Sequence, residues 1–231
     1  MPDKILILGG TKEAAELAGK LVEEGHEVIS SLAGRTREPK PVAGYVRSGG
    51  FGGATGLAQW ITENAVTRII DATHPFAVQI SQNAVAAARL SKVPIERYER
   101  APWVRKKDDM WMECASINEA VSLVPREATV LLALGSQHIA PFATRDDVHF
   151  VVRMIDEPKS PLPFRNCTLI LARPSNDWSQ EAKVLTENKI TQIVCRNSGG
   201  PGAYAKIEAA RRVKVPVIMI HRPKVTETSP V

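Results

Sequence analysis

The sequence predicts an α/β protein made of two parallel-sheet halves. Short apolar runs alternate with segments of helical periodicity, and glycine-bearing turns follow several of the runs. Both halves repeat the order strand, glycine turn, helix, the signature of a parallel sheet with crossover helices. Ile5 to Leu8 reads as the first strand. After Gly9-Gly10-Thr11, residues Ala14, Leu17, Ala18, Leu21 and Val22 fall on one helix face, and Gly25 ends that helix. Glu27 to Ser31 and Gly44 to Arg47 read as the next two strands. Leu57, Trp60 and Ile61 mark a helix, Arg68 to Asp71 a fourth strand, Phe76 to Leu90 a helix, and Ile95 to Tyr98 the closing strand.

The charged stretch Arg100 to Asp109 carries Pro102 and reads as the join, giving domains 1–104 and 105–231. In the second half Ile117, Ala120, Val121 and Val124 make a short helix face. Strands are expected at Thr129 to Leu134, Phe150 to Met154, Thr168 to Ala172, Ile190 to Cys195 and Val215 to Ile220, with a helix over Ala203 to Val213 and an extended loop at Pro158 to Pro163.

Composition narrows the function classes. The chain has 231 residues, 44% of them hydrophobic and 24% charged, which excludes disorder as its main state. Its apolar runs fall short of the roughly 20 residues of a spanning helix, and no basic-then-apolar leader opens it, so a soluble cytoplasmic protein is expected, with no membrane partner. Cys114, Cys167 and Cys195 form no Cys-x-x-Cys pair, which supports neither a disulfide framework nor a metal site. The net charge of +5 suits a small polyanion, and with no dense Lys/Arg block nucleic acid is not the expected ligand.

Open parallel sheets bind ligands beyond the carboxyl ends of their strands, so the turns there are the candidate sites. Gly9-Gly10-Thr11 joins a strand to a helix, where free amides and the positive dipole end can receive a pyrophosphate. Ser31 and Arg35 follow the second strand, where an NAD-selective domain carries Asp or Glu. Ser and Arg suit a 2′-phosphate, so NADPH is favoured over NADH. The glycine-dense segment Ser48 to Gly53, with Gly52, allows a close backbone approach to a ligand. Asp71-Ala-Thr-His-Pro-Phe76 places Thr73 and His74 at the mouth of the sheet, with Pro75 in the first helical turn and the two polar residues as caps. His74 is the candidate catalytic group. In the second half, Asn197-Ser198-Gly199-Gly200 before a helix carrying Lys206 forms an anion-receptive turn, and Gly135-Ser136-Gln137-His138 is a comparable one. No phosphate-loop lysine motif, His-Glu-x-x-His or Gly-x-Ser-x-Gly occurs, nor does the Tyr-x-x-x-Lys pair of short-chain dehydrogenases.

In order along the chain, Ile5-Leu-Ile-Leu-Gly-Gly-Thr-Lys-Glu-Ala14, Asp71-Ala-Thr-His-Pro-Phe-Ala77, Asn197-Ser-Gly-Gly200, Lys206-Ile-Glu-Ala-Ala-Arg211 and Val215-Pro-Val-Ile-Met-Ile-His-Arg-Pro223 resemble the precorrin-6A reductase family of cobalamin biosynthesis. The resemblance implies two Rossmann-like domains with a ligand cleft between them, and NADPH-dependent reduction of precorrin-6A to precorrin-6B, hydride going to the corrinoid ring and a proton to the neighbouring carbon. It implies Gly9, Gly10, Thr11, Ser31, Arg35 and Gly52 on the cofactor and Thr73 and His74 near the nicotinamide. Gln137, Asn197, Ser198, Gly199 and Lys206 would face a polycarboxylate tetrapyrrole. Bound water or a substrate carboxyl are other proton sources. The chain departs from the family at Ser136, where the resemblance leads one to expect a basic residue between Gly135 and Gln137; if that residue meets a substrate carboxylate in the family, the carry-over does not extend to this turn. A cobalt-containing substrate, another small unsaturated acid and a non-catalytic dinucleotide sensor stay open, as does the choice of monomer or homodimer.

Overall fold

The computed structural model describes residues 2–34 and 41–223. The chain divides into two compact units, the first running through Arg100 and including Pro223, the second running from Ala101 to Arg222. The break falls ahead of the one expected after residue 104. Trp103 decides its position: its main-chain N–H donates to Asn197 Oδ1 at 2.8 Å, its carbonyl accepts from Asn197 Nδ2 at 2.9 Å, and its indole N–H donates to the Gly200 carbonyl. Those bonds fasten the start of the charged stretch to the second unit.

The first unit contains β1 (Lys4–Leu8), α1 (Lys12–Glu23), β2 (Glu27–Leu32), β3 (Tyr45–Ser48), α2 (Gly53–Glu63), β4 (Arg68–Asp71), α3 (Val78–Ser91) and β5 (Ile95–Arg97). Its strands form one parallel sheet in the order β3-β2-β1-β4-β5. Alternation along the strands sends side chains to both faces. Ile5, Ile7, Val28 and Ile70 pack with Ala14, Ala18 and Leu21 of α1, while Leu6, Leu8, Ile29 and Ile69 pack with Leu57 and Ile61 of α2 and Ala84 and Ala87 of α3.

One expectation fails here. The helix predicted from Phe76 begins at Val78, because His74 to Ala77 close a turn first, the Ala77 N–H donating to the His74 carbonyl at 2.7 Å. Pro75 occupies the second position of that turn, which its fixed φ favours, so neither Thr73 nor His74 caps the helix.

The second unit contains β6 (Trp111–Cys114), α4 (Ile117–Leu123), β7 (Thr129–Ala133), β8 (His149–Met154), β9 (Cys167–Leu171), α5 (Trp178–Glu187), β10 (Gln192–Arg196), α6 (Ala205–Val213) and β11 (Val217–Ile220). Its parallel sheet runs β6-β11-β10-β7-β8-β9. Leu131, Val151, Ile193, Val217 and Met219 pack against Leu185 of α5 and Ile207, Ala209 and Ala210 of α6. On β8 and β9 the sequence reading and the structure agree closely. Strand β6 and helix α5 were not among the expected elements. The strand is a sheet edge that buries Trp111 and Cys114 and exposes Met112 and Glu113 between them, so no alternation marks it. The helix buries Glu181 beside Leu185. Glu181 pairs with Arg153 of β8 at 2.8 and 2.9 Å, and a helix face carrying a buried charge does not read as apolar.

Candidate cofactor and substrate site

In the first unit the strand order reverses between β1 and β4, and the turns after these two strands meet there. Thr11 ties them together. Its Oγ1 accepts from the Ala14 N–H at 3.1 Å, capping α1, and donates to the Ala72 carbonyl after β4 at 3.0 Å. Gly10 takes φ of 106°, a left-handed value that favours glycine, and a Cβ placed on it would meet nothing within 4 Å. Gly9 is closely packed, a Cβ there lying 3.4 Å from that of Ala14. A tight glycine turn thus leaves open space in front of the helix N-terminus. Glu13 in the first turn of α1 is paired with Arg100 at 2.8 Å. Together with Thr11, Thr73, Pro75 and Tyr98 this pair lines a shallow pocket.

Thr73 is held from behind. The buried Asp71 carboxylate accepts from the Thr73 N–H at 3.1 Å and from its hydroxyl at 2.7 Å, and its second oxygen accepts from Arg97 Nη1 at 3.1 Å. His74 is half-buried, and its Nδ1 accepts from the Phe76 N–H at 3.2 Å. The neutral ring therefore carries its proton on Nε2.

The carboxyl ends of β2 and β3 form the other part of this unit's candidate edge. Ser31 is opposite Arg47 in the strand register, and its Oγ accepts from Arg47 Nη1 at 2.8 Å. Arg47 also donates to the carbonyls of Gly49 and Gly50, both at 3.1 Å, and its guanidinium lies over the Phe51 ring, 3.7 Å from the centroid. Burial lowers its pKa from the ordinary arginine value. Gly52 caps α2 in the left-handed region with φ of 78°. Arg35 lies outside the described residues. The sequence reading did not single out Arg47, although its place just before a glycine run was a usable signal.

In the second unit the strand order reverses between β7 and β10. The two turns singled out in this half follow those two strands. Gln137 is exposed in a short 3-10 turn, Ser136 to His138, and Ser136 is exposed beside it. The Asn197 turn is built differently from the expected nest. Asn197 is buried and spends both ends of its amide on the Trp103 main chain. Gly199 has φ of 68° and packs so closely that a Cβ would strike the Ala101 carbonyl oxygen and Arg222 Nη2. Arg222 Nε and Nη2 donate to the carbonyls of Asn197 and Ser198, both at 3.0 Å, and Ser198 is half-buried. Lys206 is buried, its Nζ donating to the Ala203 carbonyl at 2.8 Å and lying 4.8 Å from the Trp103 ring centroid. The five residues expected to face substrate thus divide. Gln137 stands in the open, Ser198 is part-covered, and Asn197, Gly199 and Lys206 hold the turn to the 101–103 segment.

Comparison with known proteins agrees with this architecture. Residues 4–231 match the model of the family described as precorrin-6x reductase CbiJ/CobK. The precorrin-6A reductase of Rhodobacter capsulatus is 41% identical over 223 residues, covering 96% of this chain and 89% of that one. That of Rhodococcus erythropolis is 42% identical over 222 residues, covering 95% and 89%. A solved structure titled CobK precorrin-6A reductase superposes with a TM-score of 0.93 at 41% identity, covering 97% of this chain and 90% of that one. With the family match running from the first strand to the end of the chain, and a fold carrying a glycine turn at the strand reversal of its first sheet, the protein belongs to the precorrin-6x reductase CbiJ/CobK family, a family of oxidoreductases.

Proposed function

We propose that this chain reduces precorrin-6A to precorrin-6B in cobalamin biosynthesis and draws its hydride from NADPH. The observation that carries the cofactor half is the cradle in front of α1: Gly10 at φ of 106° with open space beyond it, at a helix N-terminus where Thr11 caps the Ala14 amide. Gly9, Gly10 and Thr11 would hold the pyrophosphate there, with the dipole of α1 favouring its charge. The Glu13 carboxylate in the same turn is balanced by Arg100, which removes its repulsion toward an anion. No acidic residue occurs between Ser30 and Arg37, so the ribose-binding carboxylate of an NAD-selective domain is missing from the end of β2, and this favours NADPH.

Bound NADPH supplies the hydride, and the protein's own work is to orient, shield and protonate. Asp71 fixes the Thr73 hydroxyl and main-chain N–H, so Thr73 is a preorganised group at the strand reversal. His74 offers an Nε2 proton from a ring oriented by the Phe76 N–H and is the proposed acid for the neighbouring ring carbon. Gln137 and Ser198 flank the corresponding reversal of the second sheet and are the proposed contacts for substrate carboxylates or amides. Asn197, Gly199 and Lys206 shape that turn. Both relatives described above carry the name of the cobalt-free substrate, which supports precorrin-6A over its cobalt form.

The test is a mixture of purified protein, NADPH and precorrin-6A, followed by cofactor absorbance and corrinoid mass. Corrinoid-dependent NADPH oxidation with a two-hydrogen mass gain is expected. Turnover only with NADH, or only with a cobalt-containing corrinoid, overturns the corresponding half of the reading.

A further inference from the structure

Arg47 is a half-buried guanidinium at the ends of β2 and β3 of the first unit, and unlike Arg100 it lacks a counter-charge: among the described residues no carboxylate lies within ion-pair distance of it. A partly desolvated charge without a partner is costly, so proteins keep one where a ligand brings the opposite charge. Three hydrogen bonds to Ser31 Oγ, Gly49 O and Gly50 O lock the group in place, and Phe51 covers one of its faces at 3.7 Å. These bonds use Nη1 and one Nη2–H. The Nε–H and the other Nη2–H are not among them, and that pair of donors is what binds a phosphate side-on.

The location fits an anion at the adenosine end of a dinucleotide. Arg47 closes β3 directly opposite Ser31 at the end of β2, and Gly49, Gly52 and Gly53 beyond it take positive φ with no atom within 4 Å of where a Cβ would stand, so the backbone there stays open to a ligand. We infer that Arg47, clipped to Ser31 and the Gly49-Gly50 carbonyls, is the cation that seats the 2′-phosphate of NADPH and sets the preference for NADPH over NADH. The inference rests on the NADPH reading above.

Adenosine 2′,5′-bisphosphate and 5′-AMP differ only in the 2′-phosphate, so calorimetric titration of the full chain with each isolates the contact. The unmodified protein is expected to bind the bisphosphate at least about tenfold more tightly, as for a charge-assisted bidentate pair. Arg47→Met should bring the ratio to within about threefold, and Arg47→Lys, which keeps the charge but not the fork, should fall between. The lysine variant also serves if the methionine variant does not fold, judged by its unfolding midpoint. An unchanged ratio in Arg47→Met overturns the assignment, and so does an equal loss of affinity for both ligands, since a mere loop clip would weaken both alike. If the unmodified protein shows no preference at all, the NADPH reading falls and Arg47 with it. Selective binding that survives Arg47→Met leaves NADPH standing and refutes Arg47 alone.

Discussion

Asn197 shows how one amide can replace a length of backbone pairing. Its carbonyl and amino groups serve the N–H and C=O of Trp103 at 2.8 and 2.9 Å, in a buried place. Truncation to alanine would orphan a main-chain donor and acceptor together, so Asn197→Ala is expected to cost about 2–4 kcal/mol of stability, read by urea unfolding. An unfolding midpoint equal to that of the unmodified protein would return Asn197 to a purely ligand-facing role. Cys195 makes a second residue-scale case. It is fully buried, and burial pushes its thiol from 9.0 to about 11, an effect that the nearby Lys206 and Arg196 charges oppose. Below pH 9 both folded and unfolded thiols keep their proton and the shift contributes nothing. Between 9 and 11 the unfolded thiol ionises while the folded one cannot, so stability falls, by about 1.4 kcal/mol per pH unit at most. Chemical unfolding of the protein and of Cys195→Ala from pH 8 upward should therefore diverge, the variant losing less. Parallel curves would show that this thiol is not what titrates.

At the scale of elements, helix α2 sets intrinsic propensity against packing. Replacing a mid-helix glycine by alanine ordinarily gains about 1 kcal/mol. At Gly56 a Cβ would run into the Phe51 carbonyl oxygen, part of the loop that Arg47 gathers. Gly56→Ala is expected to lower the thermal midpoint despite its better propensity, and a raised midpoint would mean the loop yields freely. The same loop marks the limit of what the sequence could tell. Strands β1 and β10 carry apolar runs buried on both faces and are followed by glycine turns, so the sheet centres and the turns at their ends were legible. The start of α3 was not, because Pro75 satisfies a turn and a helix N-terminus equally well and only the bond from Ala77 to His74 decides. Strand β6 and helix α5 were hidden for the reasons their burial gives: an edge strand has no alternation to show, and Glu181 is a charge whose partner, Arg153, is distant in sequence. The site followed the same rule. Gly10 and Thr11, identified by backbone need, form the turn into α1 that the sequence predicted. Asn197 and Lys206 face inward because their partners, Trp103 and the Ala203 carbonyl, cannot be read from a local pattern.

At the scale of the whole molecule the net charge of +5 and the burial of the ion pairs make separable predictions. On the function proposed above, NADPH and a tetrapyrrole bearing several carboxylates are both anionic, and their encounter with a chain of net positive charge is screened once the Debye length shrinks from about 14 Å toward about 4 Å between 0.05 and 0.5 M salt. The Michaelis constants for both ligands should rise over that range, by about three- to tenfold, with kcat changing far less because salt screens the long-range encounter more than direct contacts to a bound ligand. The fold should respond differently. Arg153 and Glu181 are 5% and 3% exposed as side chains, and Arg97 with Asp71 is nearly as sheltered on the acidic side, so added salt reaches these pairs poorly and the thermal midpoint should hold within a few degrees. Steady-state kinetics and thermal unfolding in a neutral salt such as potassium chloride measure the two responses on one sample. Sulfate is avoided because it would compete for the α1 cradle itself. Michaelis constants that stay flat while the fold is intact would mean that the excess charge is spread away from the ligand edges and that binding rests on local contacts such as Arg47 alone.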